Sequence, residues 1–209
     1  MVSAHLRADA RRNRESLVTA ARAVFAERGL SAPLDEVARR ADVSIGTLYN
    51  RFGTRADLAD AAYAELVVSM TRSAERSAQT TDPWQGLVEH LTLVAEIQAR
   101  DRGFEDVCMY SFPAGSSVEQ AKIRAHAAFL ALVERAQGSG DLRADISVAD
   151  VGLLLWSVVR ATEGIRSSAP DAWRRHLALL LDGLRAQAAH PIPGEPLDQD
   201  LVRRAMTFG

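Results

Sequence analysis

Residues 34–58 read LDEVARRADVSIGTLYNRFGTRADL, and the rest of the chain is best understood outward from them. Two short amphipathic segments, LDEVARRA and SIGTLYNRF, flank a turn at Ala41-Asp42-Val43. Neither is long enough to be a stable helix alone, so both must lean on apolar surface supplied by neighbours. In the first, Val37, Ala38 and Ala41 form the inner face, and the alanines allow close packing. In the second, Ser44 is the expected N-cap and the pair Leu48 and Phe52, four apart, anchors the segment. The opposite face then carries Gly46, Tyr49 and Asn50, flanked by Thr47 and Arg51. A glycine inside a helix costs about 1 kcal/mol relative to alanine, so Gly46 needs a reason. Close approach of a phosphate backbone supplies one. Gly53 stops the segment, and Thr54-Arg55-Ala56-Asp57 is a capping-box-like start for the next helix. This is the layout of a helix-turn-helix, which places its second helix in the major groove of DNA.

Upstream, Leu17, Ala20, Ala21, Val24 and Phe25 recur at helical spacing, which predicts a helix from about Arg14 to Arg28. Gly29 suits a left-handed C-cap, and Pro33 suits the first turn of the following helix. Asp35 and Glu36 lie near that helix's positive end. Residues 1–13 show no stable periodicity and are expected to form a flexible basic arm, either a solvated tail or a reach towards phosphates. Over residues 1–58 ten arginines face seven acids, a net +3. The whole chain carries −2, so its remainder is acidic. A basic end on an acidic body suits a protein that touches polyanion at one end only.

The run GLSAPLDEVARRADVSIGTLYNRFGTRADL resembles the N-terminal domain of the tetracycline-repressor (TetR) family of bacterial transcriptional regulators. The likeness covers residues from about 14 to 63, and GTLYNRF is its most specific part. It implies an all-α fold, with a three-helix homeodomain-like DNA-binding domain and a C-terminal helical domain for ligand binding and dimerisation. Members usually place a hydroxyl where this chain has Pro33, and many place a cation where it has Ile45. The residues expected at DNA are Ser44, Thr47, Tyr49, Asn50, Arg51 and Arg55. Tyr49 and Arg55 suit phosphate contacts, which fix register, whereas Thr47 and Asn50 suit base edges.

Downstream, the next helix runs through Tyr63, Leu66, Val67 and Met70 towards Gln79. Asp82 and Pro83 cap another, from Pro83 to Arg100. Gly103 and Pro113-Ala-Gly-Ser-Ser break the chain twice and leave a short segment, Phe104 to Phe112. A helix follows from Ser117 to Gln137, another opens at the capping box Ser147-Val-Ala-Asp150, and a last one spans Pro170 to Ala189. No β-alternation is present. The predicted division is therefore an arm (1–13), a DNA-binding domain (14–58), an effector-binding and dimerisation domain (59–190) and a tail (191–209).

The stretch VGLLLWSVV, from Val151 to Val159, is apolar on every side and must be covered all round. With Leu153 and Leu154, the residues Trp173, Leu177, Leu180, Leu181 and Leu184 of the last helix form a broad apolar surface. On pattern alone this is core or a contact with a second copy. The resemblance implies the second, because its members pair through their last two long helices. Phe104, Cys108, Met109, Tyr110, His126, Phe129, Trp156 and Arg160 are candidates for a mostly apolar effector cavity. An inward Arg160 would suit an anionic ligand.

No nucleophile elbow, phosphate loop, zinc-protease helix or dinucleotide fingerprint is present, and the five histidines are scattered. The expectation is a non-enzyme with no cofactor and no metal. The single cysteine excludes an internal disulfide, and no apolar run reaches the ~20 residues of a membrane span. A cytoplasmic location is expected. The resemblance implies a dimeric one-component regulator, a repressor on a palindromic double-stranded operator that a small-molecule effector releases. The alternative is a helical small-molecule binding or scaffold protein that has lost sequence-specific DNA reading.

Overall fold

Leu17, Ala21, Val24 and Phe25 lie on one face of α1 (Val2–Arg28), and all four are fully buried. Against them pack Leu34, Val37 and Ala38 of α2 (Leu34–Arg40) and Leu48 and Phe52 of α3 (Ile45–Phe52). The computed structural model that shows this describes residues 2–198 and 201–202. Met1, residues 199–200 and residues 203–209, which belong to the expected arm and tail, lie outside the described residues. Gly29 adopts φ +80°, the left-handed conformation that ends α1. The Ser44 hydroxyl caps α3 by accepting the Thr47 N–H at 3.2 Å. Thr54 and Asp57 complete a reciprocal capping box on α4 (Arg55–Ser77).

The chain continues through α5 (Pro83–Arg100), α6 (Arg102–Met109), α7 (Ser117–Gly138), α8 (Val148–Thr162) and α9 (Ala172–Leu184). The described residues are all-helical, with no strand. α4 packs along α7, and α5 packs on α8 and α9. Leu87, Leu91, Leu132, Val151 and Trp173 centre this second core. The first core does not stop at Leu58. It runs on through Tyr63, Phe104, Val107, Val118 and Ala121, so the helix-turn-helix unit shares its interior with α4, α6 and α7.

Four expectations need correction. The first helix begins at Val2 rather than near Arg14. Residues 2–28 contain no glycine or proline, and their alanines and arginines are strong helix formers, so nothing stops the helix from extending into the supposed arm. Pro33 occupies the N-cap of α2 rather than its first turn and provides no side-chain acceptor. Gly103 lies inside α6 and does not break the chain: a Cβ there would stand 2.0 Å from the Tyr63 hydroxyl and 2.8 Å from Phe25 Cβ. Finally, the last helix ends at Leu184, short of Ala189. Arg143 N–H donates to the Leu184 carbonyl (3.1 Å) and Ala186 N–H to the Asp141 carbonyl (2.9 Å). This pairing with the α7–α8 link competes with further helix, and Arg185 lies over the Trp84 ring at 4.0 Å.

One polar cluster joins the two cores. The buried Asp101 carboxylate accepts the Tyr63 hydroxyl at 2.8 Å and the Phe104 N–H at 2.8 Å, and pairs with Arg22 at 2.9 Å. Arg22 also stacks over the Tyr63 ring at 4.3 Å. Burial, reinforced by the Asp101 charge, raises the Tyr63 pKa and keeps its hydroxyl a donor. Asp101→Ala would leave the buried Tyr63 hydroxyl without its acceptor and the partly exposed Arg22 without its carboxylate, and is expected to cost about 1–3 kcal/mol of stability. Gly103→Ala, by overpacking the same joint, should cost about 2 kcal/mol. Urea unfolding of both variants measures this, and unchanged midpoints would refute the assigned packing.

Candidate DNA interface and effector cavity

α3 divides cleanly into an inner and an outer face. Leu48 is fully buried and Phe52 nearly so, whereas Tyr49 is 51% exposed and Asn50 and Arg51 stand beside it at the surface. Ser44 and Thr47, also expected at DNA, are already bonded to each other, with their hydroxyl oxygens 2.9 Å apart. Ser44 is exposed and Thr47 half-buried. Arg55, also expected at DNA, is half-buried and anchored within the fold. Its Nη1 donates to the Leu30 carbonyl at 2.7 Å and also to the Ala32 carbonyl, which fastens α4 to the α1–α2 turn. The surface that α3 offers to a groove is therefore centred on Gly46, Tyr49, Asn50 and Arg51.

Gly46 has no internal justification. A Cβ there would meet only Ser44 Oγ, at an ordinary 3.8 Å. The helix surface there is open to a close approach from outside. Gly46→Ala is expected to raise stability by about 0.5–1 kcal/mol through helix propensity while weakening DNA binding. Denaturation and DNA titration of one sample check both signs.

Behind this unit, a cavity of about 530 Å³ opens among α4, α5, α6, α7 and α8. Of the expected lining residues, Phe104, Cys108, Met109, His126 and Phe129 reach it. Tyr110, Trp156 and Arg160 do not line it. Tyr110 follows the end of α6 and turns to the surface, at 36% exposure. Arg160 is held away by Glu105 (3.4 Å) and Glu163 (2.7 Å) and lies 5.9 Å from the Trp156 ring, so it offers no inward cation. Leu153, expected at a contact between copies, lines the cavity.

Sequence reading missed His90, Gln98, Glu119 and Lys122, all on the cavity wall. A signal was available on α5, where His90, Val94 and Gln98 share one helical face with two polar members on an apolar stripe. Lys122 is the sole lysine of the sequence. Its ammonium donates to the Tyr110 carbonyl and stands 6.0 Å from the Phe112 ring, and burial lowers its pKa. Glu119 accepts the Phe112 N–H at 3.0 Å. Burial pushes the Cys108 thiol up to about 11, which leaves it protonated and unreactive.

Of the remaining apolar candidates for pairing, Trp173, Leu177 and Leu184 are each 3% exposed within their own protomer and belong to its core. Leu154, Leu180 and Leu181 are half-buried, and Leu179 is 59% exposed. The outward apolar surface of α9 is thus narrower than its leucine content suggests.

Burial lowers the His90 pKa from its ordinary 6.5 to about 4, so the imidazole is neutral in the folded chain. The unfolded chain takes up that proton first. The stabilisation is full above about pH 6.5 and is lost as pH falls towards 4. His90→Phe is expected to flatten the decline of stability across that window, which melting curves at stepped pH would show.

Residues 17–62 match the family described as bacterial regulatory proteins, tetR family. Residues 82–186 match the C-terminal domain described as transcriptional regulator SbtR-like. No curated protein sequence matches the chain. Among solved structures, the TetR transcriptional regulator SCO0520 from Streptomyces coelicolor is 30% identical, with 82% of this chain and 98% of that one covered and a TM-score of 0.52. A TetR transcription regulatory protein from Mycobacterium vanbaalenii is 31% identical, with 86% and 99% covered and a TM-score of 0.50. The regulator RolR, solved in complex with resorcinol, is 21% identical over 89% and 97%, with a TM-score of 0.53. No helix among the described residues is long and apolar enough to cross a membrane. The shared helix-turn-helix, the matching C-terminal domain and the two relatives at 30% and 31% identity place the chain in the TetR family of transcriptional regulators.

Proposed function

We propose that this regulator is a dimeric repressor that binds a palindromic operator and is released when a small molecule occupies the cavity. The observation that carries this reading is the double role of α6. Phe104, Val107, Cys108 and Met109 of that helix line the cavity. The same helix grips the DNA-binding unit: Asp106 Oδ2 accepts the Leu30 N–H at 2.7 Å, and its N-cap Asp101 pairs with Arg22 of α1. A ligand that displaces α6 displaces α1, and with it the orientation of α3. Such a ligand shifts the equilibrium only by its differential affinity for the two arrangements.

Pairing has a physical motive. One eight-residue recognition helix reaches few base pairs, whereas a two-fold dimer reads two half-sites about 34–36 Å apart. Leu179, together with the half-buried Leu154, Leu180 and Leu181, supports a contact through α8 and α9. That RolR was solved with resorcinol supports a small-molecule effector for a fold of this kind.

The test is selection of binding sites from random DNA, followed by titration across a salt series. The expected result is a palindrome bound by two copies, with affinity falling log-linearly with salt. Tyr49→Ala should weaken all sequences alike, whereas Asn50→Ala should cost about 1–3 kcal/mol only at the base it reads. One copy per site, or no preference over random DNA, would overturn the reading. It would favour a ligand-binding protein that no longer reads DNA, for which Pro33 and Ile45 are the supporting departures.

A further inference from the structure

Two buried side-chain atoms on the cavity wall have no hydrogen-bond partner, His90 Nδ1 and Gln98 Oε1. Their residues are 6% and 3% exposed. The other unpartnered buried atoms among the described residues are single guanidinium nitrogens of Arg102 and Arg135, whose neighbouring nitrogens are bonded. Those two arginines are not on the cavity wall. An orphaned buried acceptor costs about 1–3 kcal/mol, so two on one wall call for an explanation.

Both sit on the cavity-facing stripe of α5 and are eight residues apart, a helical rise of about 12 Å. Gln98 Oε1 is an amide carbonyl oxygen and can only accept a hydrogen bond. Between and around them the wall is apolar: Val67, Met70, Leu91, Val94, Phe104 and Phe129. The cation of Lys122 is engaged by the Tyr110 carbonyl and faces two carboxylates on the same wall, Glu119 and Asp198, with His126 also lining it, so the wall holds no unmatched cation for an anionic ligand.

We propose that the cavity takes an uncharged, largely apolar compound hydroxylated at both ends, one hydroxyl donating to Gln98 Oε1 and the other bonding His90 Nδ1. The proposal rests on the reading of the cavity as an effector site. A hydroxyl satisfies His90 Nδ1 in either tautomer, because it both donates and accepts. A carboxylate has no proton to give Gln98 and would meet a neutral imidazole at the other end. A cavity of about 530 Å³ accommodates a compound of several rings or a long chain.

Isothermal titration of the full-length protein without DNA, at neutral pH, tests the assignment with three rigid probes. These are para,para′-biphenol, para-phenylphenol and para,para′-biphenyldicarboxylate. The diphenol is expected to bind at least about tenfold more tightly than the dicarboxylate. Gln98→Leu and His90→Phe should each bring the diphenol to the affinity of the monophenol. Gln98→Leu should also leave the melting temperature of the unliganded protein unchanged or higher, since it removes an orphaned acceptor. Equal or tighter binding of the dicarboxylate overturns the proposal, as does full diphenol affinity in Gln98→Leu or binding of none of the probes. Operator release is measured in a separate titration. Diphenol binding that follows the predicted pattern without release supports the ligand class and defeats only the derepression reading. Failure of all probes on a protein that still holds its operator defeats only the ligand class.

Discussion

Three donors converge on the Asp101 carboxylate, and the placement of α6 follows from them. Asp101 is at once the last residue bonded to α5 and the N-cap of α6, with extended backbone at φ −135° and ψ 97°. It turns the chain sharply while its side chain collects the Phe104 N–H, the Tyr63 hydroxyl and the Arg22 guanidinium. Gly103 is the complement of that arrangement, because any side chain there would occupy the volume of the Tyr63 hydroxyl. Without the glycine, α6 would have to lift away from α1 and α4. The bond from Leu30 to Asp106 would then lengthen, and the cavity would lose one wall.

An ion pair of this kind, with Asp101 buried and Arg22 a third exposed, is a poor source of net stability, since the carboxylate gives up hydration to meet its partner. Its contribution is better understood as geometric. An apolar contact between α1 and α6 would tolerate sliding, because dispersion and hydrophobic burial have little directional preference. Two charge-assisted attachments at the N-terminal end and middle of one short helix, through Asp101 and Asp106, fix its position relative to α1. The cavity side of α6 is built oppositely, from Phe104, Val107 and Met109, whose contacts adapt to an occupant. One face is held rigidly and the other yields, which is what a mechanical relay between ligand and DNA would require.

Much of this was legible in the sequence because it depends on neighbours along the chain. The caps Ser44, Thr54 with Asp57, Asp82, and Ser147 with Asp150 all sit where short-range chemistry put them. So do the inner faces of α1, α2 and α3. Several of the misreadings involve a distant partner. Gly103 read as a breaker because its reason, Tyr63, is 40 residues away. The end of α9 is set by pairing with Asp141 to Arg143, and Arg55 is drawn inward by carbonyls of the α1–α2 turn. The polar pair His90 and Gln98 on the apolar stripe of α5 is visible in the sequence, but its meaning depends on the cavity in front of it.

Bonds within the fold, one local and one long-range, bear on the proposed DNA-reading surface. The hydroxyls of Ser44 and Thr47 are turned to each other, and Arg55 Nη1 is bonded to carbonyls of the α1–α2 turn. With Pro33 and Ile45 in place of a hydroxyl and a cation, few phosphate ligands are left on α2 and α3. On the proposed reading, Tyr49, Asn50 and Arg51 carry the remaining contact surface, with open space at Gly46 beside them. A surface this small binds one half-site weakly, because each lost phosphate contact also removes a released counterion. Doubling it through a partner would restore affinity only if the two α3 helices are held at the spacing of one DNA turn. The tolerance for misplacement is then small, and a shift of α6 too slight to unfold anything would suffice to separate the protein from its site.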